Sequence, residues 1–94
     1  MSGKGSVVID FGAWPGGNEA SVDVTEQTGI LAESYSEAWF SGTPTSDHTT
    51  TDHAFAGAIS SVTTSNTIAG VGFTITVYST EKLQGTFNVN WVWA

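Results

Sequence analysis

Residues 85–93 read GTFNVNWVW, and within them Phe87, Val89, Trp91 and Trp93 alternate with Thr86, Asn88 and Asn90. Successive side chains of an extended strand point to opposite faces, so four large apolar residues fall on one side and hydroxyls and amides on the other. A strand patterned this way needs hydrogen-bonding neighbours for its backbone and an apolar layer to cover its face. That requirement commits the chain to a sheet protein.

The rest of the chain follows the same period, and helical periodicity is nearly absent. Val7 to Phe11 is a short apolar run that ends at a turn built on Trp14, Pro15, Gly16 and Gly17. From Glu19 to Thr25, Ala20, Val22 and Val24 face one way, and Glu19, Ser21, Asp23 and Thr25 the other. Glu33 to Phe40 sets Tyr35, Glu37 and Trp39 against Ser36, Ala38 and Phe40. Ser41 to Thr51 reads as a loop, and His53 to Thr64 as a thin strand, with Ser65 and Asn66 as a turn. Thr67 to Thr80 is the longest strand expected, placing Phe73, Ile75 and Val77 inward, with Gly70 and Gly72 marking a bulge or bend at its start. Glu81 to Gln84 turns the chain into the final strand. Six to seven short strands with glycine-rich turns predict an all-β fold, a small antiparallel β-sandwich or barrel-like closure, forming one domain over residues 1–94.

A chain of 94 residues buries only about 60–65% of its unfolded surface, so its core is small. Small domains add disulfides, a metal or neighbours. With no cysteine, neither disulfides nor thiolate metal sites are open to this one. Lys4 and Lys82 are the only basic side chains against nine carboxylates, for a net charge of −7. Such a surface repels phosphate, so no nucleic acid and no anionic membrane is expected as a partner. Serine and threonine exceed a quarter of the residues while charged residues are only 12%, which fits a β-protein docked in something larger better than a free one. The stretch MSGKGSVVIDFG has one lysine and no long apolar run before its first aspartate, so synthesis in a cytoplasm without a secretory signal is expected.

The stretch SDHTTTDH, residues 46–53, holds both histidines, each directly after an aspartate. Asp47, His48, Asp52 and His53 are the weak candidates for a metal. On a strand His48 and His53 point to opposite faces, and on a helix they lie about 140° apart. Only an irregular loop, or an interface to which each copy gives one histidine, brings them to one ion. The third ligand and general base of a hydrolytic zinc site are not visible. Local hydrogen bonding in a threonine-rich turn is the simpler reading. No metal and no cofactor is therefore expected. Neither is catalysis: no serine has a distinguished base and orienter, and the carboxylate pairs Glu33/Glu37 and Glu19/Asp23 lie on strand faces rather than across a cleft. The glycines of IAGVGF lack the lysine and following helix of a phosphate loop. Trp91 and Trp93 are expected in the core. Trp14 and Trp39 fit equally the edge of a core and an interface, since loop aromatics anchor protein contacts or stack on sugars. Trp14, Trp39, Phe40, His48 and His53 form the expected contact set.

The stretches IDFGAWPG, EASVDVTEQTGI, SEAWF, SDHTTTDH, IAGVGFTITV and GTFNVNWVWA resemble a group of small proteins encoded among the structural genes of tailed bacteriophages and prophages. The likeness runs from about Val7 to Trp93. It implies a virion component without catalytic residues. A capsid decoration (cement) protein that docks at junctions between capsid subunits comes first, with a tail or fibre component or a carbohydrate-binding module as the alternatives. The partners it implies are the major capsid protein or other virion proteins, together with further copies of the chain in a homo-oligomer, and its location is the virion.

Overall fold

The computed structural model describes residues 2–94. Its elements are β1 (Gly3–Asp10), β2 (Gly17–Val24), β3 (Ser36–Phe40), α1 (Thr50–Ile59), β4 (Ser60–Ile68), β5 (Gly72–Leu83) and β6 (Thr86–Trp93). The strands form two antiparallel three-stranded sheets, ordered β1-β6-β3 and β2-β5-β4. The all-β sandwich expected from the alternation is the fold the chain adopts, with one short helix added.

Each sheet turns its apolar phase inward. Phe87, Val89, Trp91 and Trp93 of β6, with Ile9 of β1, face Val24 of β2 and Phe73, Ile75 and Val77 of β5, and all are buried. Each such side chain contributes about 1.5–3 kcal/mol by leaving water, so this double layer is the main source of stability. β1 lies alongside β2 at one open side of the sandwich and β3 alongside β4 at the other. There Ser36 Oγ donates to Thr64 Oγ1 at 2.8 Å, and Thr64 Oγ1 donates to Ser36 O at 3.0 Å. The two sheets thus close toward a flattened barrel.

Four expectations about the elements need correction. β1 starts at Gly3, four residues before the apolar run at Val7. Its inward positions there are Gly3 and Gly5, opposite Trp93 and Trp91 in the register. A Cβ on Gly5 would lie 2.6 Å from the Trp91 ring, and one on Gly3 would overlap Trp93. The tryptophans lie across β1 and supply the bulk its own residues lack.

Second, His53–Thr64 is not a strand. Thr50–Ile59 is helical and β4 begins only at Ser60. Thr49 caps the helix: its side chain accepts from Asp52 N–H while the Asp52 carboxylate accepts from Thr49 N–H, the reciprocal capping pair of a helix start. Third, Ser65 and Asn66 lie within β4 at a register irregularity, Asn66 taking φ 53°, and the chain reverses between Ile68 and Gly72. Fourth, β5 continues through Glu81 and Lys82 to Leu83, so the turn into β6 is only Gln84 and Gly85.

Candidate functional site

The SDHTTTDH segment crosses the end of the sandwich where β6 starts. Asp47 Oδ2 accepts both the backbone N–H and the hydroxyl of Thr86, each at 2.8 Å. Thr45 Oγ1 donates to Thr86 O at 2.8 Å and accepts the N–H groups of Asp47 and His48. These bonds hold the Asp47 carboxyl below the usual carboxylate range, the Thr86 hydroxyl contributing most and its N–H next. The loop is clasped to the first residue of β6.

His53 sits on α1 and is 1% exposed. Its Nε2 accepts the N–H of Asn88 at 2.9 Å, which fixes the tautomer, because a backbone N–H can only donate. Nδ1 then carries the proton and donates to Thr49 O at 2.8 Å. Both nitrogens join backbone to backbone, tying the helix N-terminus to β6. Neither can take up a metal or a substrate proton without breaking one of these bonds.

His48 is pinned differently. Its Nδ1 lies 3.1 Å from Asp52 Oδ2 and its Nε2 bonds the carbonyl of Gln84. Both partners are acceptors when Asp52 is ionised, so the ring makes both bonds only with a proton on each nitrogen. The Thr49 N–H, and after it the His48 ring, hold the Asp52 carboxyl below its ordinary value. An Asp–His pair suggests a catalytic dyad, but in such a dyad the far nitrogen faces a nucleophile. Here it faces a carbonyl.

The two imidazoles meet on a phenyl ring rather than on an ion. His48 stacks on Phe87 with centroids 4.0 Å apart and planes within 11°, and His53 meets the same ring edge-on at 5.1 Å. Phe11 and Phe40 complete the surround at 5.8 and 5.5 Å, both edge-to-face. Among the described residues no three His, Asp or Glu side chains converge as a metal ligand set. Asp47 turns to Thr86 and Asp52 to the helix cap, so the four metal candidates are divided between separate structural tasks.

The expected contact set is therefore divided. Trp14 stands in the β1–β2 turn at 81% exposure, and Trp39 on the outer face of β3 at 44%. Phe40 is half-buried against Phe87, and His53 is enclosed, so neither offers the free surface expected of it. His48 shows only the rim of its stacked ring. Trp91 and Trp93 are buried, as the alternation requires. Residues outside the expected set join the exposed apolar surface: Tyr35 at 86%, Val8 at 49%, and Phe55 of α1 at 58%.

Two open clefts flank the site. One, of about 450 Å³, lies between the β1–β2 turn and the loop and is lined by Asp10, Asp47 and His48. The other, of about 490 Å³, runs between α1 and β3 past Trp39, Phe40 and Ala54. Trp14 and Trp39 line no common cleft among these. Comparison of the chain with protein-family models, with curated proteins and with solved structures returned no match.

Proposed function

We propose that this chain is a non-catalytic docking protein, a small β-sandwich subunit that adds to a larger protein particle. Within that class we propose a head decoration protein of a tailed phage, binding the major capsid protein at subunit junctions. One observation carries the docking reading: large aromatics stand in water, outside the core that the fold needs. Tyr35 and Trp14 are more than four-fifths exposed, and Trp39, Phe55 and Tyr78 between 44% and 60%. Buried aromatic anchors dominate protein interfaces, and side chains this large are the natural ones to bury on contact. The engagement of both His53 nitrogens by backbone groups supports a structural role for that ring. The particle assignment draws on the phage-like stretches described above.

Copy number tests the assignment. A decoration protein should appear in hundreds of copies in purified particles, seen as a strong band against the major capsid protein, and a tail component in few. Absence from purified particles would end the phage reading. Repeated small contacts on a symmetric shell add through avidity, so loss of shell stability when the protein is removed is the expected companion result. A sugar-binding tip would need Trp14 and Trp39 on one platform, and neither cleft that Trp39 lines includes Trp14.

A further inference from the structure

The outer face of sheet β1-β6-β3 is covered by no strand or helix of the chain, and its chemistry is arranged in rows. The register puts Lys4, Val92 and Glu37 side by side across the three strands, and Ser6, Asn90 and Trp39 in another row. Tyr35 extends the same face, held to Ala94 by two backbone hydrogen bonds of 2.9 Å. Lys4 and Glu37 sit on opposite edge strands with Val92 between them, about 10 Å apart across two strand spacings. That is too far for an ion pair, and among the described residues neither makes one.

We propose that this face is the docking surface for a second copy of the chain, stacked sheet to sheet about a two-fold axis running along β6. Such an axis lies in the interface and exchanges the left and right edges of the sheet while keeping each row at its own level. Lys4 of each copy then meets Glu37 of the other, Val92 meets Val92, and the Asn90 amides meet and can bond reciprocally. Trp39 covers the small Ser6 of the second copy. An axis across the strands instead leaves Lys4 opposite its own strand and both charges unanswered. Aligned sheets cross at about −30°, which sets the axis within about 15° of β6.

Charge selects this face over its counterpart. The outer side of β2-β5-β4 carries Glu19 and Asp23 on β2, and the same operation about β5 would set them against Ser61 and Ser65 of β4, leaving both acids without an opposite charge. On the β1-β6-β3 face only Asp10, at the far end, adds to the balanced Lys4 and Glu37. Lys4 is one of two cations on a chain of charge −7, and a second copy supplies the anion it lacks. The face measures about 14 Å by 26 Å from strand spacing and rise, well short of the roughly 800 Å² per partner of standard interfaces. Association is therefore weak and reversible, suited to a lattice where other contacts add to it.

The proposal rests on the docking reading but is tested on the isolated chain. Sedimentation equilibrium across a concentration series compares wild type, Lys4→Glu, Glu37→Lys and the double reversal, with circular dichroism verifying that each is folded. Wild type should dimerise, each single reversal should weaken the dimer about tenfold, and the double reversal should restore it. Glu37→Lys makes the chain less negative and Lys4→Glu more so. General repulsion alone would therefore strengthen one and weaken the other, whereas the specific pairing weakens both. A wild type that stays monomeric at millimolar concentration, opposite effects of the two single reversals, or a double reversal that fails to recover each overturns the proposal. A monomeric chain still found in particles leaves the docking function standing; a dimer absent from particles removes the phage assignment and leaves the pairing.

Discussion

Replacing His53 with alanine should remove much of the stability of this domain without touching any chemistry. The ring is 1% exposed and joins Asn88 N–H to Thr49 O. Deleting it leaves the part-buried Asn88 donor without its acceptor, at about 1–3 kcal/mol. The lost contact with Phe87 and the void left behind add about 2 kcal/mol more. The expected total is about 3–5 kcal/mol, a large share of the roughly 5–15 kcal/mol that holds a small domain together. Urea unfolding followed by the fluorescence of the buried Trp91 and Trp93 reads this directly. With a urea slope of about 1–1.5 kcal/mol per molar, the midpoint should fall by about 2–5 M. His53→Phe keeps a ring and its edge-on contact with Phe87 but loses both hydrogen bonds, so it should recover the packing part and not the bonding part. A His53→Ala protein within about 1 kcal/mol of wild type would refute the clamp, and a simultaneous loss of some measurable binding would return the histidine to function.

Gly5→Ala should lower the melting temperature, costing about 1–3 kcal/mol, because its Cβ would sit 2.6 Å from the Trp91 ring; an unchanged melt would mean that the ring yields freely. Thr49→Ala should cost about 1 kcal/mol by uncapping α1, read as earlier thermal unfolding with reduced helical signal. The clasp of Asp47 depends on a carboxyl held below its ordinary value of 3.8. Its contribution is therefore complete above that value and is lost as pH falls through the lower folded value. Relative to its intrinsic rate at each pH, amide exchange at Thr86 should accelerate in that acid window in wild type. In Asp47→Asn it should be fast already at neutral pH, and equal exchange in the two proteins would dismiss the clasp.

The strands were readable wherever both partners of a layer carry their own bulk. β2 from Ala20 to Val24, β5 from Phe73 to Val77 and all of β6 follow from alternation, because each inward residue there is itself apolar. The start of β1 was not readable, because Gly3 and Gly5 borrow their volume from Trp93 and Trp91 on another strand, and that pairing exists only in three dimensions. Helix α1 hid for a related reason. Only His53 and Ala56 are buried on it, too narrow a stripe to show a 3.6-residue period. The signal that marks its start is the cap pair Thr49 and Asp52, with three alanines following. The roles of the histidines were half legible. Threonine-rich turn bonding was visible in the sequence, but their meeting on Phe87 needed the helix.

The order β1-β6-β3 has a consequence for the birth of the molecule on the ribosome. The middle strand of that sheet is the one synthesised last of the six, so β1 and β3 emerge with no partner between them and wait for it. The other sheet can begin at once from the β4–β5 hairpin. Closure of the first must follow release of β6 from the exit tunnel, and pairings this distant in sequence form slowly, on the order of milliseconds to seconds. Until then the nascent chain exposes the ladder of β1 to any strand it meets, and the final eight-residue strand acts as the key that completes the fold.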